Sequence, residues 1–230
     1  KNIRYIFLTN NSSKNKDRYV EKLNKLGIEA HREDIFSSGE ATTIYLNKQK
    51  KGAKVFLLGT KDLEDEFEKA GFELVKERNK NIDFVVLGFD TTLTYEKLWI
   101  ACEYIANGIE YIATHPDFNC PLENGKFMPD AGAMMAFIKA STEKEPIVIG
   151  KPNKHIIDAI IEKYNLKNDL VMTGWAIKID GITNRIQDIK LKEKLEKECE
   201  KIWDEWYEKV QKQLTKDNLA IINALMGGRI

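Results

Sequence analysis

The chain has 230 residues, 43% of them hydrophobic and 31% charged, the mix of a soluble globular protein with room for one large domain or two modest ones. Lys plus Arg and Asp plus Glu are both 36, so the net field gives no reason to expect nucleic acid as a partner. No apolar run approaches the ~20 residues of a membrane span, and the first residues lack the pattern of a secretory signal. The cysteines Cys102, Cys120 and Cys199 are far apart and form no CxxC, which points to reduced thiols in a cytoplasmic protein rather than a disulfide frame or a zinc site.

Residues 3–8 are a short, nearly continuous apolar run, the pattern of a strand covered on both faces. It stops at Thr9, Asn10 and Asn11. Residues 17–26 carry Tyr19, Val20, Leu23 and Leu26 at helical spacing and end at Gly27, an amphipathic helix with a glycine stop. Residues 37–46 predict a helix capped by Ser37 or Ser38. A strand at 54–58 closes on Gly59-Thr60, and a helix at 63–70 stops at Gly71. A strand at 84–87 precedes Gly88, a helix at 95–107 ends at Gly108, and another strand covers 111–113. The stretch 114–132 is long for a loop in a compact domain. Its Asp, Pro and Gly residues supply turn chemistry, which favours an ordered loop.

Helix 133–140, strand 147–149, the turn Gly150-Lys151-Pro152-Asn153 and helix 154–164 follow, then a strand at 170–172 before Thr173-Gly174. Strands alternating with helices predict an α/β protein built on a parallel sheet. After Gly174 the texture changes. Residues 190–214 are dense in Lys and Glu, with Leu191, Leu195, Cys199, Ile202, Trp206 and Val210 in one stripe, and read as a single long amphipathic helix. A short apolar helix at 219–225 ends the series.

Parallel α/β sheets bind ligands at the carboxyl ends of their strands. Three strands here end in polar, basic or glycine-containing turns: Thr9-Asn10-Asn11, Gly150 to Asn153, and Thr173-Gly174. A hydroxyl, backbone amides and a lysine aimed at one spot would hold a phosphate, helped by the helix N-terminus after each turn. Singly, Thr9 reads as a strand-end hydroxyl and Lys151 as a surface lysine; their joint placement is what favours a site. The three histidines (His31, His115, His155) are scattered without metal spacing and read as structural or surface residues.

The order FLTNNSS, LLGT, VVLGFDTTLTYEKL, IATHPDFNCP with its later PDAG, and IGKPN resembles the haloacid dehalogenase (HAD) superfamily of phosphatases, in its NagD-like or p-nitrophenyl phosphatase branch. The resemblance runs from about residue 2 to residue 172. It implies a Rossmann-like core from residues 1–36 and 145–185, an inserted α/β cap at 37–144, and the helical tail at 186–230 as an addition. It also implies that Thr9, with Asn10 and Asn11, binds the transferred phosphoryl group, and that Lys151 steadies the phosphate and a nucleophilic aspartate. Residues 114–132 look like the family's substrate-selecting loop. Asp90 and Asp117 sit where the branch carries acidic cap residues. The implied chemistry is magnesium-dependent hydrolysis of small phosphorylated metabolites through an aspartyl-phosphate.

Two departures bear on that chemistry. The family's DxDGT strand, which carries the nucleophile ahead of TNN, has no counterpart in this sequence. Where the family reads GDxxxxD, this chain reads GWAIKID: Trp175 replaces the first aspartate, which holds magnesium, and Asp180 is the second. Residues 176–185 loosely echo a nucleophile strand, with Lys178 in the nucleophile's place. The expectation is weak or absent turnover, with impaired magnesium binding. The competing reading is a non-catalytic fragment, pseudoenzyme or chimera that acts as a binding module, the tail's apolar stripe supporting a homo-oligomer.

Overall fold

The computed structural model describes residues 6–78, 80–122 and 126–165. The predicted strand at 170–172, the long tail helix, Trp175 and Asp180 lie outside them.

The chain order is β1 (Phe7–Thr9), α1 (Lys16–Lys25), a single 3-10 turn, β2 (Ile35–Ser37), α2 (Ser38–Gln49), β3 (Lys54–Leu58), α3 (Lys61–Lys69) and β4 (Glu73–Leu74). It continues with β5 (Phe84–Leu87), α4 (Tyr95–Ala106), β6 (Glu110–Ala113), β7 (Asn119–Pro121), β8 (Phe127–Pro129), α5 (Ala131–Thr142), β9 (Ile147–Val148) and α6 (Lys154–Tyr164). β1 and β2 form a parallel pair with Thr9 opposite Ser37. A five-stranded sheet follows in the order β4-β3-β5-β6-β9, every pairing in it parallel. β7 and β8 make an antiparallel hairpin inside the long stretch 114–132, so that stretch carries structure of its own. The α/β architecture predicted from the alternation is the one found.

Alternate residues of the central strands enter different cores. Val55, Leu57, Phe84, Val86 and Ile112 pack with Leu46 of α2, Phe67 of α3 and Ile156 and Ile160 of α6. Phe56, Leu58, Val85, Leu87, Tyr111 and Ala113 pack with Ile100 and Ile105 of α4 and Ile138 of α5. A strand covered on both faces needs no polar alternation, which is why β3 and β5 read as unbroken apolar runs. In β2 the same rule sends Phe36 to the first of these cores and Ile35 to a smaller cluster under α1 with Tyr19 and Leu23.

Helix ends follow the sequence signals. Ser37 caps α2 by accepting from the Glu40 amide at 3.0 Å, and Thr94 caps α4 through the Lys97 amide at 3.2 Å. Just past α1, α3 and α4, Gly27, Gly71 and Gly108 have φ of +78°, +93° and +89°, the left-handed conformation that glycine adopts without a Cβ penalty. α5 begins two residues earlier than its pattern predicts, because Asp130 caps it and Ala131 is already helical. Four short strands, β2, β4, β7 and β8, are not legible as strands in the sequence. The five-stranded sheet draws β3 to β6 from the segment 37–144 and β9 from 145–185, and the core around Phe36, Val55 and Ile156 is continuous between those segments.

Candidate functional site

Five polar residues in a row, Thr9 to Ser13, leave the end of β1, and four of them (Thr9, Asn10, Ser12, Ser13) are buried. Buried polar groups need partners, and here the partners come from the carboxyl ends of other strands. After β3, the Thr60 hydroxyl donates to the Ser13 carbonyl at 2.9 Å. After β5, the Phe89 amide donates to Ser12 Oγ at 2.9 Å. After β6, Thr114 Oγ1 lies 3.0 Å from Ser12 Oγ. After β2, the Ser38 hydroxyl donates to the Asn10 carbonyl. The segment is thus the meeting point of the strand ends, the place where open parallel sheets bind ligands.

Asn10 joins this meeting point to the turn after β9. Its Oδ1 accepts from the Lys151 amide at 2.8 Å, and its Nδ2 donates to the Lys151 carbonyl at 3.0 Å and to both Asp117 carboxylate oxygens at 3.2 Å. The whole side-chain amide is committed, so Asn10 acts as a clamp on Lys151 and Asp117. Asn11 acts locally. Its Oδ1 accepts from the Ser13 amide at 2.9 Å and the Ser13 hydroxyl at 2.8 Å. Its own amide donates to Thr9 Oγ1 at 3.2 Å, and the Tyr19 hydroxyl donates to its carbonyl at 3.1 Å.

Lys151 is only 8% exposed, and its ammonium donates to the Leu8 carbonyl at 3.4 Å, one residue before Thr9. Burial lowers its pKa, while the Asp117 charge acts to raise it. The Lys151-Pro152 peptide is cis. Gly150 permits the approach: a Cβ there would stand 2.6 Å from the Thr114 carbonyl, 2.7 Å from Asn10 Oδ1 and 2.8 Å from His115 Cβ. The structure therefore brings Thr9, Asn10, Asn11 and Lys151 together. Asp180 lies outside the described residues.

Other residues belong to this neighbourhood although sequence reasoning gives them no role in it. Asp117 holds Asn10, and His115 is fully buried beside it rather than at the surface. The strand-end position of Thr-His-Pro-Asp is the one local signal that points to them. Asp90, by contrast, is occupied locally. One of its oxygens takes the Thr92 amide and hydroxyl at 2.8 and 2.7 Å, and the other pairs with Lys97 at 2.7 Å. Among the described residues no group of three or more His, Cys, Asp or Glu is placed to hold a metal ion. Magnesium prefers hard oxygen donors, which Trp175 lacks. The described residues do not make a magnesium site.

Residues 1–73 match the family model for haloacid dehalogenase-like hydrolases. The chain is 38% identical over 175 residues to an acid sugar phosphatase of Staphylococcus aureus, covering 76% of this chain and 66% of that protein. It superposes on a 4-nitrophenylphosphatase from Thermotoga maritima with a TM-score of 0.67 at 46% identity, over 73% of this chain and 63% of the other. A magnesium complex of a glycerol phosphate phosphatase from Mycobacterium tuberculosis gives 0.68 at 29% identity, over 72% and 50%. The fold defines one class, the HAD-type α/β hydrolases. Within it, the chain belongs to the NagD-like phosphatase family. It spans about two thirds of the length of the curated relatives that it matches.

Proposed function

We propose that this chain holds the phosphate of a small phosphomonoester at the ends of β1 and β9, with the Thr9 hydroxyl, the backbone amides of residues 9 and 10 and the Lys151 ammonium as its ligands, and with Asn11 shaping the turn that presents them. The observation that carries the reading is the Asn10 clamp. An amide with every bond spent on Lys151 and Asp117 fixes a lysine beside a polar strand end, a geometry suited to a doubly charged oxyanion. In this reading residues 37–144, their sheet completed by β9, form the cap beside the core segment 1–36, and the stretch 114–132 selects the substrate. The relatives' names support phosphorylated sugars and small esters as the substrate class.

The reading includes low turnover: phosphate esters bind, but Trp175 stands where the family places a magnesium-holding aspartate. Calorimetric titration with inorganic phosphate tests binding; the wild type should bind, and Lys151→Ala should lose at least about tenfold in affinity, the worth of one charge-assisted bond. A p-nitrophenyl phosphate assay with magnesium tests turnover. Brisk hydrolysis abolished by Thr9→Ala would overturn the low-turnover half, and unchanged phosphate affinity in Lys151→Ala would overturn the site.

A further inference from the structure

The loop after β6 and the cap of α5 place three titratable side chains in a row. His115 is 0% exposed and Asp130 3%. His115 Nε2 lies 3.5 Å from Asp130 Oδ1 and Nδ1 lies 3.7 Å from Asp117 Oδ2, yet neither ring nitrogen has a hydrogen-bond partner. A buried imidazole with both nitrogens orphaned is costly, and the loop that carries it is closely packed. A Cβ on Gly150 would stand 2.8 Å from His115 Cβ, and one on Gly132 2.5 Å from the Pro116 carbonyl, so the Thr114–Asp117 loop is wedged between two glycines.

A neutral imidazole donates from one nitrogen and accepts at the other. With both carboxylates ionised, one ring nitrogen would face an oxygen with no hydrogen between them. A single added proton would remove the conflict once the side chains close the last few tenths of an ångström. The Asp130 carboxyl would donate to Nε2 and Nδ1–H to Asp117, which continues to accept from Asn10. Asp130 still takes the Ala131 amide at 2.6 Å, so its role as the cap of α5 is undisturbed. We propose that His115 and Asp130 share one proton, and that through Asp117 and Asn10 this proton positions Lys151 for anion binding; His115 is a positioning residue.

The electrostatics agree in direction. Burial pulls His115 down to about 4, with Asp117 opposing and Lys151 assisting. Burial pushes Asp130 up to about 7; the Ala131 amide opposes the shift and Asp117 adds to it. Between those values the pair holds one proton, mainly on the carboxyl; above them the carboxyl loses it, and below them the imidazole gains a second. Cys120 of β7 and Tyr19 of α1 also feel Asp130, and burial raises both, so they stay neutral in this window. Lys22 acts on Cys120 in the opposite sense.

This inference rests on the phosphate reading for its binding consequence, while the proton itself has a separate readout. Ring nitrogen NMR of the full chain should show His115 neutral and protonated on Nδ1 at about pH 6, with Nε2 shifting as Asp130 ionises near pH 7. Asp130→Asn, which has no proton to lose and whose amide oxygen can still accept from Ala131 as the cap of α5, should abolish that step. Inorganic sulfate keeps a constant charge and serves as the binding probe. Its affinity for the wild type should fall about fivefold from about pH 6 to pH 8.5, the worth of one hydrogen bond, and Asp130→Asn should stay flat. An Nε2–H tautomer or an imidazolium at pH 6 overturns the shared proton. The same sulfate profile in wild type and Asp130→Asn overturns its link to Lys151. No sulfate binding at any pH, with the NMR step intact, overturns the anion site and that link while upholding the proton pair.

Discussion

In the five-stranded sheet, Val55, Val86 and Ile112 are fully buried within a core of apolar side chains. A few residues further along the same strands, Thr60, the Phe89 amide and Thr114 are also deep in the protein, but each is tied to a specific atom of Ser12 or Ser13. Burial is similar in the two regions and the chemistry is opposite. The apolar layer is held by area and volume, so it tolerates substitution that preserves both. The strand-end cluster is held by matched donors and acceptors, so the loss of one partner leaves another orphaned. Stability resides mainly in the first region, and the proposed anion site lies in the second.

The largest stability effect should come from the apolar layer. Phe67, fully buried in α3 and packed 5.4 Å from the Phe72 ring, should cost about 3–5 kcal/mol when changed to Ala. Chemical denaturation measures the loss, and phosphate affinity of the fraction still folded should be unchanged. Asn10→Ala should cost less, about 1–3 kcal/mol, because it orphans the buried Lys151 backbone groups. Its phosphate binding should nevertheless collapse, since Lys151 loses its clamp. If the two variants exchanged these outcomes, with Phe67→Ala losing the anion while fully folded, the division between regions would fail.

A third effect is conditional on pH and vanishes at its acid end. Burial, reinforced by the Glu40 charge, raises Glu66 to about 7, with Lys16 and Lys163 opposing. A raised carboxyl favours the folded state below its unfolded value and loses that contribution as pH rises to about 7. Glu66→Gln should therefore gain relative to wild type between about pH 4.5 and pH 7, by at most ~3 kcal/mol, and hold that gain at higher pH. Thermal melts of the two proteins across this range give the comparison. A gain that did not vary with pH would place the cause in packing rather than in charge.

How much is legible in the sequence depends on the range of the interaction. β3 and β5 have the bounds that their apolar runs indicate, and α6 starts directly after its turn, because periodicity and turn residues are properties of neighbours in the chain. Thr9 and Lys151 are readable as strand-end residues for the same reason. The roles of Asn10, Asp117, His115 and Asp130 are not. Asn10 meets Asp117 across 107 positions and Lys151 across 141, and no local pattern records such a meeting. His115 looks like a scattered histidine until the sheet places it between two carboxylates.

By itself the sequence determined the α/β alternation, the glycine stops and the polar ends of the strands, since helix and strand propensity, turn geometry and apolar periodicity act within a few residues. Only the tertiary structure decided which polar ends face one another, which amide is spent as a clamp and which histidine is buried without a partner. Those outcomes follow from strand order and register, which bring distant loops within hydrogen-bond reach and remove the water that would otherwise satisfy them.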